Sequence, residues 1–184
     1  MPSGIDADLL LHDDHYPAVV ERVLSARHSV WIATANLKEL MIEDGPVAGA
    51  TPRYRSALSA FADLSERGVE LRILHAALPS RVFIRDFDQQ ARLVEGGLEL
   101  RQCPRNHLKL VIVDGQTLYL GSANWTGAGL GAKHPGRRNF EIGLLTQDEY
   151  LLDVAQETFD RIWGGKECQH CRLRGECPMP LDEM

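Results

Sequence analysis

The chain has 184 residues, 44% of them hydrophobic and 25% charged, which is the balance of a domain able to bury a core and excludes a disordered or fibrous protein. A formal net charge of -6 and a pI near 5.6 exclude a protein that coats nucleic acid by bulk electrostatics, because that affinity comes from many Lys and Arg contacts to phosphate. No apolar run approaches the roughly 20 residues that span a bilayer. The acidic start MPSGIDADLLLHDD is the wrong flank for a secretory signal, so a cytoplasmic protein without stable membrane association is expected.

Pro17 suits a first helical turn, with Val19, Val20, Val23 and Leu24 on one face and Glu21 and Arg22 on another, which predicts an amphipathic helix over 17–27. Val30 to Ala35 is apolar and partly β-branched, the pattern of a strand buried on both faces. Residues 38–52 carry Gly45, Pro46, Gly49 and Pro52 with little periodicity and predict a long loop. Tyr54, Leu58, Phe61 and Leu64 fall at helical spacing up to Gly68, after which Val69, Leu71 and Ile73 alternate with charged residues as a strand does.

A third helix is expected over 80–95, ending at Gly96 and Gly97, then strands at 98–102, 108–113, 117–121 and 140–145. Thr146 and Glu149 have capping-box spacing, and Leu151, Val154, Ala155, Phe159 and Ile162 form the apolar face of a closing helix. The expected class is α/β, with a mixed central β-sheet sandwiched between helical layers. A catalytic domain over 1–165 would be followed by a cysteine-rich tail, 166–184, packed on the same domain.

One segment carries chemistry. His107-Leu-Lys109 is followed by four residues, Asp114, six residues and Gly121-Ser122-Ala-Asn124. With residue frequencies of roughly one in twenty, these six positions coincide by chance about once in 10⁵ chains of this length. Strand alternation puts His107 and Lys109 on one face, and the GSxN turn can bring Ser122 and Asn124 to the same end of the sheet. A neutral imidazole can attack phosphorus while a second, protonated one gives its proton to the leaving oxygen. Lys109 and the Asn124 amide supply donors where charge builds on phosphate oxygens, and no catalytic metal is required. Arg101, Arg105, Lys133, Arg137 and Arg138 crowd the same region.

These residues match the HxK(x)4D(x)6GSxN signature, and the chain resembles the phospholipase D superfamily of phosphodiesterases over most of residues 10–165. The resemblance implies a covalent phosphohistidine on His107, Asp114 as a structural anchor and Ser122 as a secondary hydrogen-bond partner near the phosphate. Asn139-Phe-Glu141 is similar to the family's N-x-E segment, whose carboxylate orients the nucleophilic imidazole. The family's reaction uses two histidines, and this chain carries the motif once. A homodimer is therefore implied, with nucleic acid as the preferred substrate, since small single-motif members are often nucleases. The alternatives are a lipid phosphodiesterase or transphosphatidylase of the same superfamily, and a catalytically silent, metal-containing nucleic-acid-binding module.

Cys168, Cys171 and Cys177 form C-x2-C-x5-C in the tail, and Cys103 precedes the catalytic segment. In a cytosolic chain such spacing reads as a metal site ahead of a disulfide framework. Four thiolates suit zinc or an iron–sulphur cluster. The cluster is preferred slightly to zinc, with ordinary free thiols as the remaining alternative, because a distant cysteine closing such a tail is similar to the iron–sulphur staple of RecB-family nucleases. His170 is not expected to be a ligand.

Overall fold

The computed structural model describes residues 4–44 and 53–184. Its strands are β1 (Ala7–Leu11), β2 (Ser29–Thr34), β3 (Met41–Glu43), β4 (Tyr54–Ser56), β5 (Glu70–His75), β6 (Glu99–Gln102), β7 (Leu110–Val113), β8 (Thr117–Gly121) and β9 (Ile142–Thr146). The helices are α1 (Glu21–Leu24), α2 (Ala57–Glu66), α3 (Arg81–Asp88) and α4 (Glu149–Trp163). Seven strands form one sheet in the order β1-β9-β8-β7-β2-β5-β6, with β2, β5 and β6 parallel and the other pairs antiparallel. β3 and β4 make a separate antiparallel pair.

Alternation along the central strands feeds two cores. Val30, Ile32, Leu71, Ile73, Val111 and Tyr119 point to the side packed by α1, α2 and Phe83 of α3. Ala33, Leu74, Leu110, Ile112 and Leu118 point to the other, where Leu152, Ala155, Phe159 and Trp163 of α4 cover them. This is the expected mixed sheet between helical layers. Trp31 stacks on Phe159 and Phe159 on Trp163, at centroid distances of 5.3 and 5.4 Å. The Arg101 guanidinium lies 4.4 Å from the Trp163 ring centroid while also donating to the Trp163 carbonyl.

Several local expectations change. The first helix is shorter than 17–27: a wide turn over Tyr16–Val20 leads into α1, which ends at Leu24. Tyr54 is in β4, because Ser56 caps α2 by accepting from Leu58 N. The third helix splits at Gln89, with a separate turn at Leu93–Gly97 in which Gly96 takes φ 101°. Asp148, and not Thr146, caps α4, accepting from Leu151 N at 2.9 Å. The Thr146 hydroxyl instead donates to the Asp6 carbonyl, fastening β1. β1 itself has no counterpart among the expected elements. The loop expected over 38–52 contains β3, and its glycines and prolines at 45, 46, 49 and 52 lie outside the described residues.

Candidate active site

The sheet order brings three chain segments to one end. β2 and β8 finish there and β7 starts there, since Ala33 pairs with Leu110 and Leu110 with Leu120. The site therefore draws on the segment entering β7, the turn leaving β8 and the residues entering β9.

β7 begins at Leu110, so His107 and Lys109 lie just before the strand expected to contain them. Gly121 N donates to the Lys109 carbonyl at 3.1 Å, which extends the ladder by one residue and fixes Lys109. The Lys109 ammonium sits 3.0 Å from the His107 carbonyl and 3.4 Å from His107 Nε2. An ammonium has donors only, so this contact suits an imidazole whose Nε2 presents a lone pair. His107 is exposed and Lys109 half-buried. Burial lowers Lys109 from the usual lysine range, and the Glu141 carboxylate works in the opposite direction.

Asn106, buried beside His107, holds this segment to the sheet. Its Nδ2 donates to the carbonyls of Thr34 and Leu74, both at 3.0 Å, and its Oδ1 accepts from Leu108 N at 3.1 Å. A single amide thus ties β2 and β5 to the segment carrying the imidazole. Sequence reasoning passed over it because an isolated Asn carries no pattern.

The GSxN turn is shaped by Tyr119. Its ring lies over Gly121 and the paired Gly143, and a Cβ on Gly121 would stand 2.7 Å from the Ile142 carbonyl and collide with the tyrosine. The phenol accepts from Ala123 N at 3.3 Å, placing the turn that carries Asn124. Its own ionisation is pushed up to about 12, first by burial and further by Glu141, against the Ala123 hydrogen bond. Trp125 anchors the turn in the core, with its ring 5.7 Å from that of Phe61.

Asn124 Oδ1 accepts from Ala35 N at 3.1 Å and Asn36 N at 3.0 Å. Those bonds orient the amide and leave Nδ2 as the end suited to a phosphate oxygen. Thr34 supports the same turn by accepting from Trp125 N at 2.9 Å.

Glu141 is 7% exposed. The Ser122 hydroxyl donates to its Oε2 through a short hydrogen bond, and Asn139 Nδ2 donates to its Oε1 at 3.0 Å. The N-x-E segment is therefore internally bonded. Among the described residues the Glu141 carboxylate accepts from Ser122 and Asn139 and makes no bond to His107. Asp114 stands away from the site, at φ 55°. It accepts from the backbone N–H groups of Arg27, His28 and Ser29 at 2.7–3.1 Å, which joins the α1–β2 turn to the β7–β8 turn.

A family model described as "Cardiolipin synthase, PLD-like domain" matches residues 19–163. The chain belongs to this PLD-like domain family. No curated protein matches the sequence. The fold is similar to that of NucT from Helicobacter pylori, with a TM-score of 0.60 and 18% identity, covering 86% of this chain and 95% of that one. It is also similar to Nuc, a phospholipase D family member from Salmonella typhimurium, with a TM-score of 0.62, 18% identity and the same coverage of 86% and 95%. A phosphatidylserine synthase from Haemophilus influenzae Rd KW20 gives a TM-score of 0.55 at 19% identity, covering 88% of this chain and 39% of that one. At these identities the likeness is one of fold.

Around the PLD-like site the basic residues divide. Arg101 is committed to Trp163 and Glu99, and Arg138 pairs with Asp13 at 2.6 Å. Lys133 and Arg137 are exposed. Arg105 lies beside Cys171, whose thiol it holds below the usual range, whereas burial pushes Cys103 up. The four cysteines line one cavity. Among the described residues, no three His, Cys, Asp or Glu side chains stand at metal-ligand spacing.

Proposed function

We propose that this PLD-like protein hydrolyses phosphodiester bonds in nucleic acid as a homodimer, through a phosphohistidine on His107. The observation that carries the reading is the approach of Lys109 Nζ to His107 Nε2 at 3.4 Å, beside an Asn124 amide held by its oxygen. The Nε2 lone pair attacks phosphorus as the bond to the leaving oxygen breaks. The partner subunit's His107, protonated, gives that oxygen its proton. Water then attacks phosphorus, passes a proton to the same imidazole and releases His107. Lys109 and Asn124 Nδ2 bind the equatorial oxygens, on which charge grows in both steps.

Two features support the dimer. One imidazole cannot be nucleophile and acid in the same step, and His107, Gly121 and Ser122 are exposed, leaving the site open in a single chain. Next to it lies an apolar patch: Phe140 is 92% exposed, and Ile142 and Leu144 of β9 share a face with exposed Leu11 and Leu9 of β1. A contiguous exposed apolar surface of this kind is characteristic of an interface, and a two-fold axis would duplicate it with the site. The likeness to Nuc and NucT, together with the exposed basic residues Lys133 and Arg137, supports nucleic acid over lipid.

The test is turnover of bis-p-nitrophenyl phosphate, single- and double-stranded DNA and RNA, and phospholipid vesicles, each in excess EDTA. Nucleic-acid hydrolysis that disappears in His107→Asn is expected, with an acid-labile, base-stable phosphoprotein trapped on acid quench. Hydrolysis confined to vesicles would transfer the reading to lipid. Near-normal rates in His107→Asn would remove the phosphohistidine.

A further inference from the structure

Four thiols meet below the segment that delivers His107, and the phosphodiester chemistry uses none of them. Cys103 follows β6, whereas Cys168, Cys171 and Cys177 follow α4. All four nevertheless line one cavity of about 20 Å³, which Pro104, Leu173, Pro180 and Leu181 help to close. They are the only cysteines in the chain, each half-buried and none in a disulfide.

The tail that carries three of them has little else to order it. Beyond Trp163 the chain forms only turns and two three-residue 3-10 segments, at Arg174–Glu176 and Leu181–Glu183. Leu181 is its one buried large apolar residue. The Arg174 pairs with Asp182 and Glu183, at 2.7 and 2.8 Å, are partly exposed, and such pairs contribute little. Burial this sparse does not offset the entropy of ordering some twenty residues, so a further cross-link is called for.

We propose that Cys103, Cys168, Cys171 and Cys177 hold a single thiophilic metal ion, zinc, as a four-thiolate site stapling the tail to the His107 segment. The donor set supports the ion: the cavity lining offers four thiols and no His, Asp or Glu, the composition of a closed tetrahedral zinc site, and the metal analysis below separates it from the cluster that spacing suggests. Because the thiols line this space without standing at ligand spacing, they turn inward on binding. Neither neighbouring alternative ligand competes: Glu167 is paired with Arg161 at 2.6 Å, and His170 is exposed and outside the cavity lining. Cys103 is four residues from His107, with Asn106 and its two carbonyl bonds between them. The ion would thus steady the catalytic segment from behind, and its binding energy would be folding energy. The assignment is independent of the phosphodiesterase reading.

The experiment is metal and sulphide analysis of the full chain, purified without oxygen from medium containing both zinc and iron. One zinc per chain is expected, without a visible absorption band. Cobalt added to metal-free protein should give sulphur-to-cobalt charge transfer and the d–d bands of a tetrahedral site. Cys103→Ser should lose most of its bound zinc and His170→Ala should keep it, with removal of the ion lowering the melting temperature. Iron with sulphide in place of zinc would overturn the single-ion site. So would metal-free protein that binds no cobalt, or full zinc in Cys103→Ser. The wild-type metal content stands as a test even where a cysteine variant does not fold.

Discussion

Lys109 supplies positive charge where a phosphate would lie, with its ammonium 3.4 Å from the His107 Nε2 that would attack it. Burial favours its neutral form, so it deprotonates at lower pH than an ordinary lysine. Only the protonated form helps hold phosphate. Inhibition by inorganic phosphate should therefore weaken as pH rises toward the usual lysine value of roughly 10.4, and should weaken before reaching it. Lys109→Arg, which stays charged throughout, should show phosphate inhibition that is flat over the same range. Lys109→Ala and Asn124→Ala should each cost about 2 to 4 kcal/mol of transition-state stabilisation, the magnitude for one lost donor, read in single-turnover rates. Asn124→Asp is a sharper probe: it keeps the acceptor for Ala35 N and Asn36 N and replaces the phosphate-facing amide with a carboxylate oxygen, so folding should survive while turnover fails.

At the scale of elements, Asp114 joins two turns at the end of the sheet away from the catalytic groups. Burial tends to raise its pKa, but the Ser29, His28 and Arg27 N–H bonds outweigh that and hold the carboxyl below its ordinary value. A depressed folded value means that the carboxylate contributes stability above the unfolded value of about 3.9, lost as pH falls through the folded one. Asp114→Ala should destabilise by about 2 kcal/mol at neutral pH, from lost charge-assisted hydrogen bonds and a left-handed backbone without a compensating side chain. Asp114→Asn should cost less, since Asn keeps an acceptor and tolerates that backbone. Thermal unfolding should show both gaps near pH 7 and a narrower one at acid pH. A gap that widened on acidification would contradict the anchoring role.

For the whole molecule, the decisive quantity is the number of histidines at one phosphate. The proposed dimer predicts a two-fold particle at micromolar concentration by light scattering, with specific activity falling on dilution. Phe140→Asp places charge in the exposed apolar patch and should yield a monomer of nearly unchanged melting behaviour and little turnover, since the side chain is 92% exposed in the single chain and meets the His12 ring edge-on. A monomer that turned over at the wild-type rate would remove the need for a partner. With one neutral and one protonated imidazole required together, the rate should be bell-shaped in pH and should persist in EDTA while the cysteine site stays loaded.

The sequence by itself determined the class of sheet and the PLD-like motif. Buried strands read as apolar runs, and a phosphate site needs particular residue types at spacings that local turns enforce. Both signals are short-range, so His107, Lys109, Asp114, Ser122 and Asn124 could be picked out before any packing was known. Only the tertiary structure decided that β1 closes the sheet against β9, because ADLLL is too short and too weakly patterned to announce its partner. The same holds for Asn106, whose amide acts on carbonyls 32 and 72 residues away, and for Glu141, whose hydrogen bonds go to Ser122 and Asn139. It holds most for the cysteines: Cys103 and the tail are 65 or more residues apart, and the parallel β5–β6 edge and the end of α4 bring them around one cavity. Hydrogen bonds and cavities depend on which distant surfaces meet, and that is a property of the packed sheet rather than of any stretch of chain.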